Sequence, residues 1–139
     1  MRMRRAGIQG FTLVEMLVVL VILGLIVGLV GPRVLNYLTG ARADTAQVQL
    51  QQLYAAAQLY TLDIGEPPPQ EAGLDALVSA PAGVDGWSGP YLDGDTVPLD
   101  PWGNPFSYEL DRDTGRFRVI SLGADGVQGG EGADADLMR

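Results

Sequence analysis

The sequence predicts an α+β fold: a long N-terminal helix, transmembrane in its first half, packed on a small C-terminal antiparallel β-sheet. Three observations carry this. An almost wholly apolar run extends from Phe11 to Val34. Beyond it, Ala46, Leu50, Leu53, Ala57, Tyr60 and Ile64 recur at spacings of four and three, the period of one helix face. Near the end, Phe106 to Leu110 and Arg116 to Leu122 alternate around Asp111-Arg112-Asp113-Thr114-Gly115 and read as a β-hairpin. A chain of 139 residues has room for one small domain plus a membrane element, with a modest core.

The N-terminal part is organised around Gly10-Phe11-Thr12-Leu13-Val14-Glu15-Met16-Leu17. Arg2, Arg4 and Arg5 precede it and place the N-terminus in the cytoplasm. The apolar run is long enough for a transmembrane helix, which needs about 20 such residues. The run leads directly into a helical pattern and not into a small-x-small cleavage site, which argues against an ordinary signal peptide. Glu15 is out of place there, because a charge in a membrane-length segment costs a few kcal/mol, roughly, and so marks a functional position. The bland alternative is a signal-anchor with Glu15 near the headgroups. Gly24-x-x-x-Gly28 lets helices approach closely. Pro32 either loosens the turn before it or marks the end of the span; both readings stand.

Gln47, Gln49, Gln51, Gln52, Gln58 and Asp63 fill the polar side of the second half. One helix from Phe11 to Asp63 would be roughly 80 Å long at 1.5 Å per residue. No globular domain of this size buries it, so its first half belongs in lipid or against copies of itself. Gly65-Glu66-Pro67-Pro68-Pro69 ends the helix. A short helix is expected over Glu71 to Val78, then a Gly- and Pro-rich connector from Ala80 to Pro105. Trp87, Tyr91, Leu92, Val97, Leu99 and Trp102 are its expected anchors against the long helix. Asp100-Pro101-Trp102-Gly103-Asn104 reads as a packed turn with Trp102 buried, a piece of scaffold and not of chemistry.

Composition excludes several functions. Net charge is -8, with nine arginines and neither lysine nor histidine, and it becomes -11 if the residues up to Gly10 are lost. Such a balance argues against nucleic acid as a partner, since phosphate binding needs a basic surface. The absence of cysteine and histidine excludes thiol nucleophiles, the usual structural zinc sites and histidine-based triads. Paired carboxylates can hydrolyse bonds, but none here stands in a catalytic motif, and a small head has little room for a substrate pocket. The chain reads as no enzyme.

The stretch from Leu122 to Asp136 is rich in hard oxygen ligands: Asp125, Glu131, Asp134 and Asp136, among glycines that leave carbonyls exposed. Calcium takes six to eight such oxygens, typically. It is not an EF-hand, because Val127 and Gly129 stand where further side-chain oxygens would be needed. Gly129 to Asp134 echoes the start of a calcium-binding β-roll repeat, but a single copy builds no roll. On composition, a calcium loop and a solvated acidic tail both stand.

Gly10 followed by Phe-Thr-Leu-Val-Glu is similar to the class III leader of type IV pilins and type II secretion pseudopilins. Gly73-Leu74-Asp75-Ala76-Leu77-Val78, Gly89-Pro90-Tyr91-Leu92, Asp100-Pro101-Trp102-Gly103-Asn104 and Ser121-Leu122-Gly123-Ala124-Asp125-Gly126 resemble, in that order, the major pseudopilins of type II secretion. The resemblance implies a pilin-like fold divided into a leader (1–10), a transmembrane and assembly helix (11–34), its amphipathic second half (35–64) and a periplasmic head (65–139). It implies that a membrane prepilin peptidase cuts between Gly10 and Phe11 and methylates the new N-terminus. Glu15 would then pair with the Phe11 amine of a neighbouring subunit, or with its own. Pro32 would stand where the helix melts locally in the filament. One calcium ion is implied, held by Asp125, Asp134 and Asp136 with the carbonyls of Leu122 and Val127. Members of this family show adjacent acids near the end, where this chain has Ala133-Asp134-Ala135-Asp136. Many type IV pilins close the region with a disulfide instead, so the lack of cysteine favours the pseudopilin side.

The implied function is structural. The subunit would sit in the inner membrane and polymerise into a periplasmic pseudopilus that drives folded proteins across the outer membrane. Its implied partners are its own copies, minor pseudopilins, the prepilin peptidase and the inner-membrane assembly platform. The alternatives are a type IV pilin or pilin-like subunit for adhesion, motility or DNA uptake, and a plain signal-anchored calcium-binding domain.

Overall fold

The computed structural model describes residues 10–139, without the side chains at 35 and 36. The arginines at positions 2, 4 and 5 therefore lie outside the described residues. Helix α1 spans Leu13–Ile64. It starts at a capped end: Thr12 Oγ1 accepts the Glu15 N–H at 3.2 Å, and the Thr12 carbonyl accepts the Met16 N–H at 3.2 Å. Such a cap is worth about 1 kcal/mol of helix stability. The helix stops at Gly65, whose φ of +91° only glycine adopts readily and whose N–H closes on the Thr61 carbonyl at 2.8 Å. Three prolines then prevent any continuation.

The described residues divide into two compact units between Leu38 and Thr39. In the first, α1 is long and apolar enough to cross a membrane, and its large side chains are exposed, Leu25 and Leu29 at 70 % and 71 %. In water each would forgo roughly 1.5–3 kcal/mol of burial, so this surface requires lipid or another apolar partner. The helix continues through Pro32, whose missing N–H leaves the Gly28 carbonyl without its intrahelical donor.

The second unit builds a core on the expected helix face. Ala46, Leu50, Leu53, Ala57 and Tyr60 are buried, and Ile64 packs against the same cluster. Opposite them stand Leu74, Ala76 and Leu77, with Phe106, Tyr108 and Val119 from the sheet region. Strands β1 (Ser107–Asp111), β2 (Arg116–Ser121) and β3 (Leu137–Met138) form an antiparallel sheet in the order β1-β2-β3. Ser107 lies opposite Ile120 and Asp111 opposite Arg116, which closes the hairpin around Asp111 to Gly115. One side chain caps the outer edge of β1: Gln70 donates to the Tyr108 carbonyl at 2.9 Å and accepts the Leu110 N–H at 2.7 Å. Those are the two bonds that one residue of a parallel neighbouring strand would make.

Three expectations need correction. The short helix is a 3-10 turn over Gly73–Leu77, narrower than Glu71 to Val78. Pro69 accepts both the Ala72 and Gly73 N–H groups, and Gly73 then takes a φ of +54°, so the single turn that closes there does not continue as a helix. Trp87, Tyr91, Leu92 and Val97 do pack on the core, but Leu99 is 55 % exposed. Its backbone does the anchoring, through a bridge to Pro105 and a carbonyl that accepts Gln49 Nε2 at 3.2 Å. Trp102 is only half-buried; the group that the turn buries is Asp100.

Candidate functional site

Two places carry the predicted site residues. At the start of α1, Gly10 and Phe11 lie in non-helical backbone just ahead of Leu13, and both are exposed, Phe11 at 75 %. A peptide bond outside the helix can enter a protease site without unwinding it. A Cβ on Gly10 would meet nothing within 4 Å, so the chain's own packing does not require glycine there. Glu15 is the third residue of the helix, where its carboxylate lies near the positive end of the helix dipole. Its N–H is the one that Thr12 caps. Thr12 was missed as a contributor, although Thr-x-x-Glu ahead of an apolar run is a legible capping signal.

The second place is the loop between β2 and β3. The tail does not trail into solvent. Arg139 exchanges both backbone bonds with Val119 at 3.0 Å, and Leu137 pairs with Ser121. The loop's two ends are joined by Ala124 N–H to the Ala133 carbonyl at 3.0 Å. Gly123 and Gly130 allow a close approach: a Cβ would come within 2.7 Å and 2.5 Å of the Asp134 carbonyl oxygen, and both have positive φ. Only glycine fits such positions.

Within this loop Asp125 is exposed, and its Oδ1 accepts the Val127 N–H at 3.0 Å. Asp134 and Asp136 are half-buried. Asp136 Oδ2 accepts the Gly129 N–H at 2.9 Å, while its Oδ1 is buried without a partner. A carboxylate oxygen in that state is costly unless a cation or water meets it. Extending the register of β1 and β2 would set Leu122 opposite Pro105, which has no N–H to give its carbonyl. Among the described residues, however, no three acidic side chains gather as a metal-holding group. The donor set present is carboxylate and carbonyl oxygen, which suits calcium and not a soft metal.

Sequence reasoning took Asp100-Pro101-Trp102-Gly103-Asn104 as scaffold and missed what it supports. Asp100, 4 % exposed, accepts the N–H groups of Trp102 and Asn104 and the Ser121 hydroxyl at 2.8–3.0 Å. Asn104 Nδ2 in turn holds the Gly123 carbonyl at 2.9 Å. Only the fold brings these positions together, so no local signal could have shown the link.

Residues 33–139 match the family model of type II secretion system protein G. The chain belongs to that family. Residues 5–31 match the prokaryotic N-terminal methylation motif, which covers Gly10 to Glu15. The type II secretion system core protein G of Pseudomonas aeruginosa is 40 % identical over 137 residues, 97 % of this chain and 96 % of that protein. The protein of the same description in Xanthomonas campestris is 40 % identical over 134 residues, 96 % and 90 % of the two chains. Among solved structures, the major pseudopilin from the type 2 secretion system of enterohaemorrhagic Escherichia coli aligns with a TM-score of 0.55 and 28 % identity. That alignment covers 71 % of this chain and 86 % of the other. The protein G model takes in both the Asp100 turn and the acidic loop of this family member.

Proposed function

We propose that this protein G family member is a structural subunit of a type II secretion pseudopilus, membrane-anchored before assembly and periplasmic afterwards. The observation that carries the reading is the pairing of two features in one chain. An exposed apolar helix sits behind a methylation motif, and a head belongs to the protein G family. The helix supplies the anchor and the surface on which copies associate. The head supplies the folded part that a growing filament would push outward. The exported proteins would be moved by that growth, with minor pseudopilins, the prepilin peptidase and the inner-membrane assembly platform as the remaining partners.

In this reading the peptidase cuts the exposed Gly10–Phe11 bond and methylates Phe11. Thr12 remains in the mature chain, so the capped start of α1 survives cleavage. Glu15 then offsets the Phe11 amine of a neighbour where neither charge is hydrated. Pro32, which offers the Gly28 carbonyl no N–H, is the place at which α1 yields during assembly.

The acidic loop is proposed to hold one calcium ion. Asp125, Asp134 and Asp136 would supply carboxylate oxygens, and Leu122 and Val127 would supply carbonyls. The unpartnered Asp136 Oδ1 supports this most directly. Bound calcium would cross-link the loop onto the sheet, in a chain that has no cysteine for a disulfide.

Intact-mass spectrometry of the chain extracted from membranes tests the processing step. The expected species begins at Phe11 and carries one added methyl group. A chain beginning at Met1 would instead support a plain signal-anchor.

A further inference from the structure

The first turn of the terminal loop is held from outside by one side chain. Asn104 Nδ2 donates to the Gly123 carbonyl at 2.9 Å, and a Cβ on Gly126 would come within 3.2 Å of Asn104 Oδ1. The carboxamide therefore grips Gly123 and lies flat against Gly126, on either side of Asp125. Asn104 is itself fixed. Its N–H donates to Asp100 Oδ1 at 2.8 Å, and its carbonyl accepts the Asp100 N–H at 2.9 Å. Asp100 is buried and further held by the Trp102 N–H and the Ser121 hydroxyl. A carboxylate satisfied by three donors has no reason to move.

By contrast, the middle of the loop has few ties of its own. Residues 127–132 are exposed, and their anchors are Asp125 to Val127, Asp136 to Gly129, and the small turn over Gly132–Asp134. The Leu122-to-Val127 segment is thus ordered by the Asn104 amide, the one side chain that holds it from outside the loop, together with the Ala124 N–H to Ala133 carbonyl bond and the Asp125–Val127 turn.

We infer that Asn104, held by Asp100, is the positioning residue for cation binding by the terminal loop. It sets the Gly123-to-Gly126 turn so that Asp125 and the flanking carbonyls present their oxygens before the ion arrives. The inference rests on the calcium reading proposed above. Asn104 touches no ion; it acts through the backbone it holds. A loop ordered in advance pays less to bind, so loss of the amide appears as weaker calcium affinity.

The test uses the full chain in detergent micelles, with calcium alone as the probe. Dissociation constants are measured by calorimetry for the unmodified chain, Asn104→Leu and Asp136→Asn, at a temperature where the calcium-free forms remain folded. Asn104→Leu keeps the branched shape of the side chain and removes the donor. The expected result is binding to the unmodified chain, about tenfold weaker binding to Asn104→Leu, as the loss of one buried hydrogen bond implies, and near-complete loss in Asp136→Asn. Should Asn104→Leu fail to fold, Asn104→Ser, which keeps a shorter polar group, takes its place with the same expectation. An affinity within twofold of the unmodified chain, with only the calcium-free melting temperature lowered, overturns the inference and leaves the calcium site standing. Absence of binding to the unmodified chain overturns both.

Discussion

Glu15 shows how one residue carries a claim about assembly. It sits in the first turn of α1, within a stretch to Val30 whose side chains are otherwise apolar and exposed, and its backbone is tied to Thr12. If it offsets the Phe11 amine of a neighbour, Glu15→Ala should leave membrane insertion unchanged and lower filament yield at least about tenfold, since removing one partner of a desolvated pair costs about 3–5 kcal/mol. Comparing the membrane-fraction and polymer amounts of the variant checks this; equal yield would remove the pairing role. The sequence made this residue legible because a carboxylate in an apolar run needs no fold to be noticed. Asn104 is the opposite case. Its meaning comes from a contact with Gly123 across 19 positions, which no local pattern contains.

Among the elements, α1 was the most legible. Its buried positions follow the period read along the chain, with Ala56 added and Ile64 only half-buried, because a helix face facing one core imposes that spacing on its residues. The hairpin followed from alternation and a glycine turn. Strand β3 did not: two residues are too few to alternate, and their pairing depends on where the acidic loop returns the chain. The sheet also makes a prediction about pH. Burial pushes the Tyr108 phenol well above its usual range, with Tyr60 nearby adding to it, and its hydroxyl donates to the Pro68 carbonyl at 2.8 Å. Burial likewise raises Tyr60, helped by Tyr91 and Glu66. Groups raised in the folded state stabilise it fully below their unfolded value of about 10, and that stability is lost as pH rises beyond it. With no lysine, cysteine or histidine in the chain, the alkaline limb belongs largely to tyrosine. The melting temperature should therefore hold steady from about pH 8 to 10 and fall above that. Tyr108→Phe should cost about 1 kcal/mol of stability on the plateau and flatten the fall. An equally steep fall in the variant would assign the limb to other groups.

Taken as a whole, the chain is a folded head and an apolar anchor, and the reasons for each differ. The head closes its own core, from Leu50 to Val119. The anchor closes none; its exposed leucines, valines and isoleucines are stable only against lipid or other subunits. That contrast was visible in the sequence, because an apolar run with no polar face cannot belong to a small soluble domain. The acidic loop was only half legible: its residue types suggested oxygen ligation, while the ties from Asp136, Asp134 and Asn104 that shape it appear only in the fold. Electron cryo-microscopy of the chain co-expressed with a prepilin peptidase and an assembly platform would show whether processed copies polymerise through the anchor. The expected result is thin filaments with the apolar helices in the centre and the heads outside. Processed chains that stay dispersed in the membrane under those conditions would contradict it.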